Sequence, residues 1–217
     1  MRQVRASSTI LAALLLSLTL LASAGAGADA KAITSGEPSR FIERLGNDAV
    51  GMIANETLSQ EKKTEEFRRL LKQGFALRAI GRFALGRYWK SAKPEQRQRY
   101  QALFEEYIVA TYAARFSEYG GETLRILGED LEGQTGANVR SSIIRPEAPD
   151  QPIIVIWRIR SHKGQLKIVD VVIENVSMSM TQRSDFAAVI RQNGGNIDAF
   201  LDSLQAVTEK ASGAQDG

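Results

Sequence analysis

The stretch IIVIWRIRSHKGQLKIVDVVIENVSMSM, residues 153–180, decides the fold. Ile153, Val155, Trp157 and Ile159 alternate with Ile154, Ile156, Arg158 and Arg160, which predicts a strand with one wholly apolar face and a second face that turns charged at its end. Ser161-His162-Lys163-Gly164 has the chemistry of a tight hairpin turn. Leu166 to Met180 reads as a long returning strand. It is apolar on both faces over much of its length, with Ile168, Val172, Val176 and Met178 on one and Val169, Val171 and Ile173 on the other. A strand of that kind is covered on both sides.

On the N-terminal side of this hairpin, Thr123 to Leu127 alternates and Asn138 to Arg145 forms a further strand before Pro146 and Pro149 interrupt it. Four sequential strands with short connections imply an antiparallel sheet. On the C-terminal side, Gly194-Gly195 separates two short helices, 184–193 and 197–210, whose apolar positions include Phe186, Ile190, Phe200 and Leu204. These are expected to cover one sheet face while N-terminal helices cover the other. The N-terminal helices show as three- and four-residue apolar spacing. Phe41, Ile42, Leu45 and Ala49 follow Ser39 as a candidate cap, Phe67, Leu70, Leu71 and Phe75 fall within 60–76, and Ile80, Phe83 and Leu85 precede Gly86. Pro94 to Tyr119 is the longest predicted helix and carries a wide aromatic band, Tyr100, Phe104, Tyr107, Tyr112, Phe116 and Tyr119, before Gly120-Gly121 stops it. The architecture is α+β: N-terminal helices, a four-stranded antiparallel sheet and C-terminal helices.

The N-terminal segment reads as a targeting signal. Arg2 and Arg5 precede an apolar run from Ile10 to Leu21, about a dozen residues against the roughly 20 a spanning helix needs. Ala22, Ala24, Ala26 and Ala28 offer cleavage after Ala24 or Ala28, so residues 1–28 read as a signal peptide and 29–210 as a single domain. From Ala211 the sequence loses apolar character, and 211–217 reads as a disordered tail.

Composition narrows the chemistry. Of 28 Lys and Arg, two lie in the leader, leaving 26 against 25 Asp and Glu. A near-neutral domain without a dense basic stripe is not a nucleic-acid binder. There is no cysteine, which removes thiol nucleophiles, redox pairs and zinc-thiolate sites, and His162 is the only histidine, placed in the hairpin turn. Gly120-Gly121 and Gly194-Gly195 lack the lysine and the strand-to-helix setting of a phosphate loop. The acidic pairs Glu65-Glu66, Glu105-Glu106 and Glu129-Asp130 read as solvated faces. Asp170 stands apart: it interrupts the apolar run Ile168-Val169-Asp170-Val171-Val172, where an ionised carboxylate requires an arginine or a set of backbone donors. An alternative role is a buried general base, with Tyr112 or Tyr119 as hydrogen-bond donor.

Three segments together, Phe83-Ala84-Leu85-Gly86-Arg87-Tyr88-Trp89-Lys90-Ser91-Ala92-Lys93-Pro94-Glu95-Gln96-Arg97, Tyr112 to Gly121, and Trp157-Arg158 with Ile168 to Met178, resemble the MlaC/Ttg2D family of phospholipid-binding proteins. The resemblance runs from about Phe41 to Leu204. It implies a soluble periplasmic carrier that holds acyl chains in an apolar cavity between sheet and helices. The carrier would exchange lipid with an inner-membrane ABC transporter complex and an outer-membrane lipoprotein complex, the arrangement that sustains outer-membrane lipid asymmetry. A branch of the family is associated with hopanoids, so the cargo stays open between phospholipid and hopanoid. The resemblance calls for no catalysis and no cofactor beyond the bound lipid. It implies a cavity floored by Val155, Trp157, Ile159, Val169, Val171 and Ile173 and roofed by Phe104, Ile108, Tyr112 and Phe116, with Arg82, Arg87 and Lys90 near the mouth to meet a phosphate.

Overall fold

A computed structural model describes residues 32–213; the leader at 1–28 lies outside the described residues. Its helices are α1 (Glu37–Ile53), α2 (Gln60–Gly74), α3 (Leu77–Leu85), α4 (Tyr88–Ser91) and α5 (Pro94–Ala113). The strands β1 (Thr123–Glu132), β2 (Gly136–Arg145), β3 (Ala148–His162), β4 (Gln165–Ile173) and β5 (Val176–Ser177) follow, and α6 (Met178–Gln192) and α7 (Ile197–Gly213) close the chain. The class is α+β, with helices at both ends of an antiparallel sheet.

The sheet is a meander in the order β1-β2-β3-β4-β5, with five strands where four were predicted. Lys163 (φ 51°) and Gly164 (φ 74°) turn β3 into β4 through the left-handed pair that a tight hairpin requires. A second pair of this kind follows, Glu174 (φ 46°) and Asn175 (φ 67°), and it ends the expected long strand at Ile173. Val176 and Ser177 pair back onto Ile173 and Val172. Ser177 then caps α6, its hydroxyl accepting the Met180 N–H at 3.2 Å, so Met178 to Met180 are helical and not extended. Pro149 and Pro152 sit inside β3, in the stretch where its pairing with β2 is irregular between Arg145–Ala148 and Ile143–Ile153.

The inward face of the sheet is the buried one. Ala137, Val139, Ile159 and Ile168 pack beneath Ile42 of α1, and Ile33 joins them from the segment before the helix. The outward face is open around Arg125, Arg140 and Arg158, which are exposed, but Asp170 and Val172 on the same face of β4 are buried where α6 meets the strand. The expectation that the closing helices cover a second sheet face holds for α6 alone, at the β4–β5 edge; α7 packs against α5. A second core lies among the helices, where Tyr100 and Phe104 of α5, Phe186 of α6 and Phe200 of α7 form an aromatic cluster with ring centroids 5.1–6.3 Å apart. Burial pushes the Tyr100 phenol well up, and its hydroxyl donates to the Gly81 carbonyl at 2.8 Å. Gly81 fits because a Cβ there would sit 2.9 Å from the Phe104 ring.

Three helix ends differ from expectation. Helix α5 stops at Ala113, six residues before Tyr119; the Gln60 amide donates to the Ala113 carbonyl at 3.2 Å, and Phe116–Glu118 becomes a 3-10 turn. Helix α7 continues through Gly213, so the predicted tail is ordered at 211–213, while 214–217 lie outside the described residues. Helix α1 begins at Glu37, with Gly36 (φ 81°) before it, so Ser39 lies inside the first turn. Its true cap comes from the sheet: the Glu129 carboxylate of β1 accepts the Ser39 N–H at 2.8 Å, the Ser39 hydroxyl at 2.6 Å and the Gly36 N–H. Glu129 is thus a tie between helix and sheet and not a solvated charge.

Partial burial pushes the Glu129 carboxyl up, but the Ser39 and Gly36 hydrogen bonds outweigh it and hold it below its ordinary value of 4.5. A depressed folded pKa contributes stability that is present above the unfolded pKa and lost as pH falls through the folded one. Glu129→Gln is expected to cost about 1 kcal/mol at neutral pH, read from urea unfolding. The gap to wild type should close below pH 4.5. A pH-independent gap would show that shape and not charge makes the cap.

Candidate functional site: an apolar cavity between sheet and helices

A partly open cavity of about 340 Å³ lies between the inward sheet face and the helices. Every layer of the fold contributes to it. Helix α1 presents Ile42, Leu45, Gly46 and Ala49, and α2 presents Phe67, Leu70 and Leu71, with Phe75 just beyond. Leu77 and Ile80 come from α3, Phe104, Ile108 and Tyr112 from α5, Trp157 from β3, Val171 and Ile173 from β4, and Met178 from α6. Asp170, Ser179 and Gln182 are the polar members of a wall that is otherwise aliphatic and aromatic. The volume lies within the range of small-molecule sites, about 300–1,000 Å³.

Of the ten residues expected to line the cavity, Phe104, Ile108, Tyr112, Trp157, Val171 and Ile173 do so and four do not. Val169 is displaced by a β-bulge. The β3–β4 register runs Arg158–Asp170 and then Ile159–Ile168, which leaves Val169 as the extra residue and breaks the alternation that grouped it with Val171 and Ile173. Ile159 and Val155 point to the inward face but do not reach the cavity, with Ile159 packed in the core beneath α1. Phe116 lies beyond the end of α5 and stacks edge-on against Phe67, 5.1 Å between centroids and 87° between planes. It supports the wall from behind.

None of Arg82, Arg87 and Lys90 lines the cavity. Arg82 lies over the Trp89 ring at 5.9 Å, and Arg87 over the Tyr88 ring at 4.9 Å. Lys90 is exposed on α4. The α1 and α2 contributions are the residues that sequence reasoning did not assign to a cavity, although their apolar stripes were visible. Periodicity identifies a buried face without telling packed protein from empty space.

Trp157 is held by the sheet: its indole N–H donates to the Ser141 hydroxyl at 2.9 Å, so the ring faces the cavity with its polar edge satisfied. Asp170 has the partner its position demanded. Arg158, directly across the ladder, donates to Oδ2 at 3.1 Å, the Ser177 hydroxyl donates to the same oxygen at 2.7 Å, and the Ser179 N–H donates to Oδ1 at 3.0 Å. The carboxylate thereby joins β3, β4 and β5 to the start of α6. Tyr119, the other residue weighed as a proton donor, gives its hydroxyl to the Glu122 carbonyl at 3.3 Å. Burial raises the Tyr112 hydroxyl above its ordinary pKa, so it is neutral where it meets the cavity. No cluster of potential metal ligands occurs among the described residues.

The fold and the cavity together define a class: α+β proteins that enclose an apolar chamber between a meander sheet and a cap of helices. Residues 43–206 match the family described as MlaC protein, and the chain belongs to that family. Among curated relatives, the intermembrane phospholipid transport system binding protein MlaC of Haemophilus influenzae is 29% identical over 132 residues, and the toluene tolerance protein ttg2D of Pseudomonas putida 23% over 130. The chain spans 60% of the length of each, using 59% and 60% of its own. Among solved structures, a phospholipid-binding protein from Ralstonia solanacearum, determined in complex with a phospholipid, superposes with a TM-score of 0.67 at 20% identity. The match covers 80% of this chain and 97% of that one, and it establishes the shared fold.

Proposed function

We propose that the protein is a periplasmic lipid carrier that holds phospholipid acyl chain in the cavity, moves it between membrane complexes, and performs no chemistry on it. The apolar cavity between sheet and helices carries this reading. At the roughly 30 Å³ that a water molecule occupies, about 340 Å³ accommodates on the order of ten methylene-sized groups. At ~0.8 kcal/mol each, that is roughly 8 kcal/mol of gross transfer free energy, enough to retain a lipid without a covalent bond. The names of the relatives and the lipid-bound state of the Ralstonia protein point to the same cargo.

The state of Asp170 supports binding over catalysis. Both of its oxygens already accept hydrogen bonds, one of them from an arginine. A general base needs an acceptor site aimed at its substrate. Exchange with an inner-membrane ABC transporter complex and an outer-membrane lipoprotein complex is the part of the reading carried by family membership.

The test is to purify the protein from intact cells without detergent, extract it with organic solvent and identify the lipid by mass spectrometry. One phospholipid per chain is the expected result. A hopanoid in the same ratio would keep the carrier and change the cargo. Lipid-free protein would contradict the proposal.

A further inference from the structure

From Phe67 to Pro94 the chain contains no Asp or Glu, in a protein otherwise close to neutral. The cations of α2 within this stretch are neutralised from elsewhere: Arg68 by Glu106, Arg69 by Glu66, Lys72 by Glu105. Those that follow are not. Arg78, Arg82, Arg87 and Lys90 are exposed, and none forms an ion pair among the described residues. Arg183 of α6, also exposed and without an ion pair among the described residues, reaches over to lie 5.0 Å above the Phe83 ring. Instead of carboxylates, Arg82, Arg87 and Arg183 rest on aromatic rings.

The same surface exposes apolar groups. Phe83 is 38% exposed, and Met180, one turn before Arg183 on α6, is 55% exposed. An apolar centre rimmed by unpaired cations matches a phospholipid bilayer surface, which offers anionic headgroups to the rim and apolar depth to the centre. A free phosphate would have no use for Phe83 or Met180. We propose that the surface formed by α3, α4 and the start of α6 docks on anionic membrane, with Phe83 and Met180 entering the headgroup region and Arg82, Arg87 and Lys90 contacting phosphates. Leu77 and Ile80, on the preceding turns of α3, line the cavity, so the docking surface and the cavity share one helix. The use of this surface to load or deliver cargo rests on the carrier reading; the docking itself does not.

The experiment is co-flotation of the purified protein with vesicles of phosphatidylethanolamine containing a minor share of phosphatidylglycerol, and with vesicles of phosphatidylcholine alone. Binding is expected to the anionic vesicles only, falling steeply as salt rises from roughly 0.05 to 0.5 M. The triple variant Arg82→Gln/Arg87→Gln/Lys90→Gln should bind about 100-fold more weakly, roughly fivefold per cation, with its co-purified lipid unchanged. Phe83→Ser should weaken binding at every salt concentration. Equal flotation of wild type and triple variant, equal flotation on both vesicle types, or salt-independent binding would overturn the proposal. So would wild type that floats with neither, which would leave the surface to an acidic protein partner. Lipid-free protein that still floats with anionic vesicles would sink the carrier reading and leave this one standing.

Discussion

Trp157→Arg is expected to yield protein without co-purified lipid, at least 100-fold below wild type by mass spectrometry. The indole is the one side chain of β3 that reaches the cavity, and an aromatic ring of this kind offers some 150–250 Å² of apolar surface. Arginine in its place would bring a guanidinium into a wall whose only carboxylate, Asp170, already pairs with Arg158. An uncompensated charge at such a site costs several kcal/mol, comparable with the gross gain from burying an acyl chain. Trp157→Phe provides the control. It gives up the bond to Ser141, worth about 1 kcal/mol, but keeps an apolar ring, so lipid should remain. Lipid lost equally from both variants would show that the hydrogen bond and not the apolar wall governs retention.

The second large effect is on stability. Asp170→Ala removes three hydrogen bonds at the junction of β4, β5 and α6, and it strands the N–H of Ser179, a residue only 8% exposed. The Arg158 side chain is 49% exposed and can turn to solvent, so the ion pair contributes less than a fully buried one would. The expected loss is about 3 kcal/mol, or roughly 6–12 °C in unfolding midpoint for a domain of this size. Thermal unfolding followed by circular dichroism measures it. An unchanged midpoint would mean that α6 is anchored by its apolar contacts alone. Asp170→Asn, which keeps an acceptor but not the charge, should fall between the two.

The hairpin over 153–180 was legible because its alternation and its glycine turn are local signals. It misled where the local signal was shared. Val176 to Met180 alternates like a strand, yet Ser177 caps a helix there, and only the left-handed Glu174-Asn175 pair separates the two states. Glutamate carries no warning of a positive φ, so the turn passed for strand. The bulge at Val169 is equally silent in sequence. It is set by the ladder with β3, and it removes Val169 from a face that simple period-2 counting assigned to it.

The requirement for a partner at Asp170 could be deduced from burial alone, whereas the choice of Arg158, Ser177 and Ser179 needed the fold. Glu129 shows the reverse error, since an exposed-looking acidic pair conceals a helix cap contributed from far along the chain, 90 residues away for Ser39 and 93 for Gly36. The aromatic band of α5 was visible, but its division between a packed core at Tyr100 and a cavity wall at Ile108 and Tyr112 follows from where α7 and α1 sit.

The central claim is that this cavity holds the cargo, and Ala49→Trp addresses it most directly. Ala49 is a small residue of α1 on the cavity wall, so a larger ring there would fill the chamber without introducing charge. Filling a cavity commonly leaves stability unchanged or raises it by about 0.5–2 kcal/mol. Native mass spectrometry of wild type and variant, purified side by side, reads the result. Wild type should carry the mass of one lipid, and the variant should appear as bare protein with an unfolding midpoint no lower than wild type. A stably folded Ala49→Trp protein that retains its lipid in full would contradict the account.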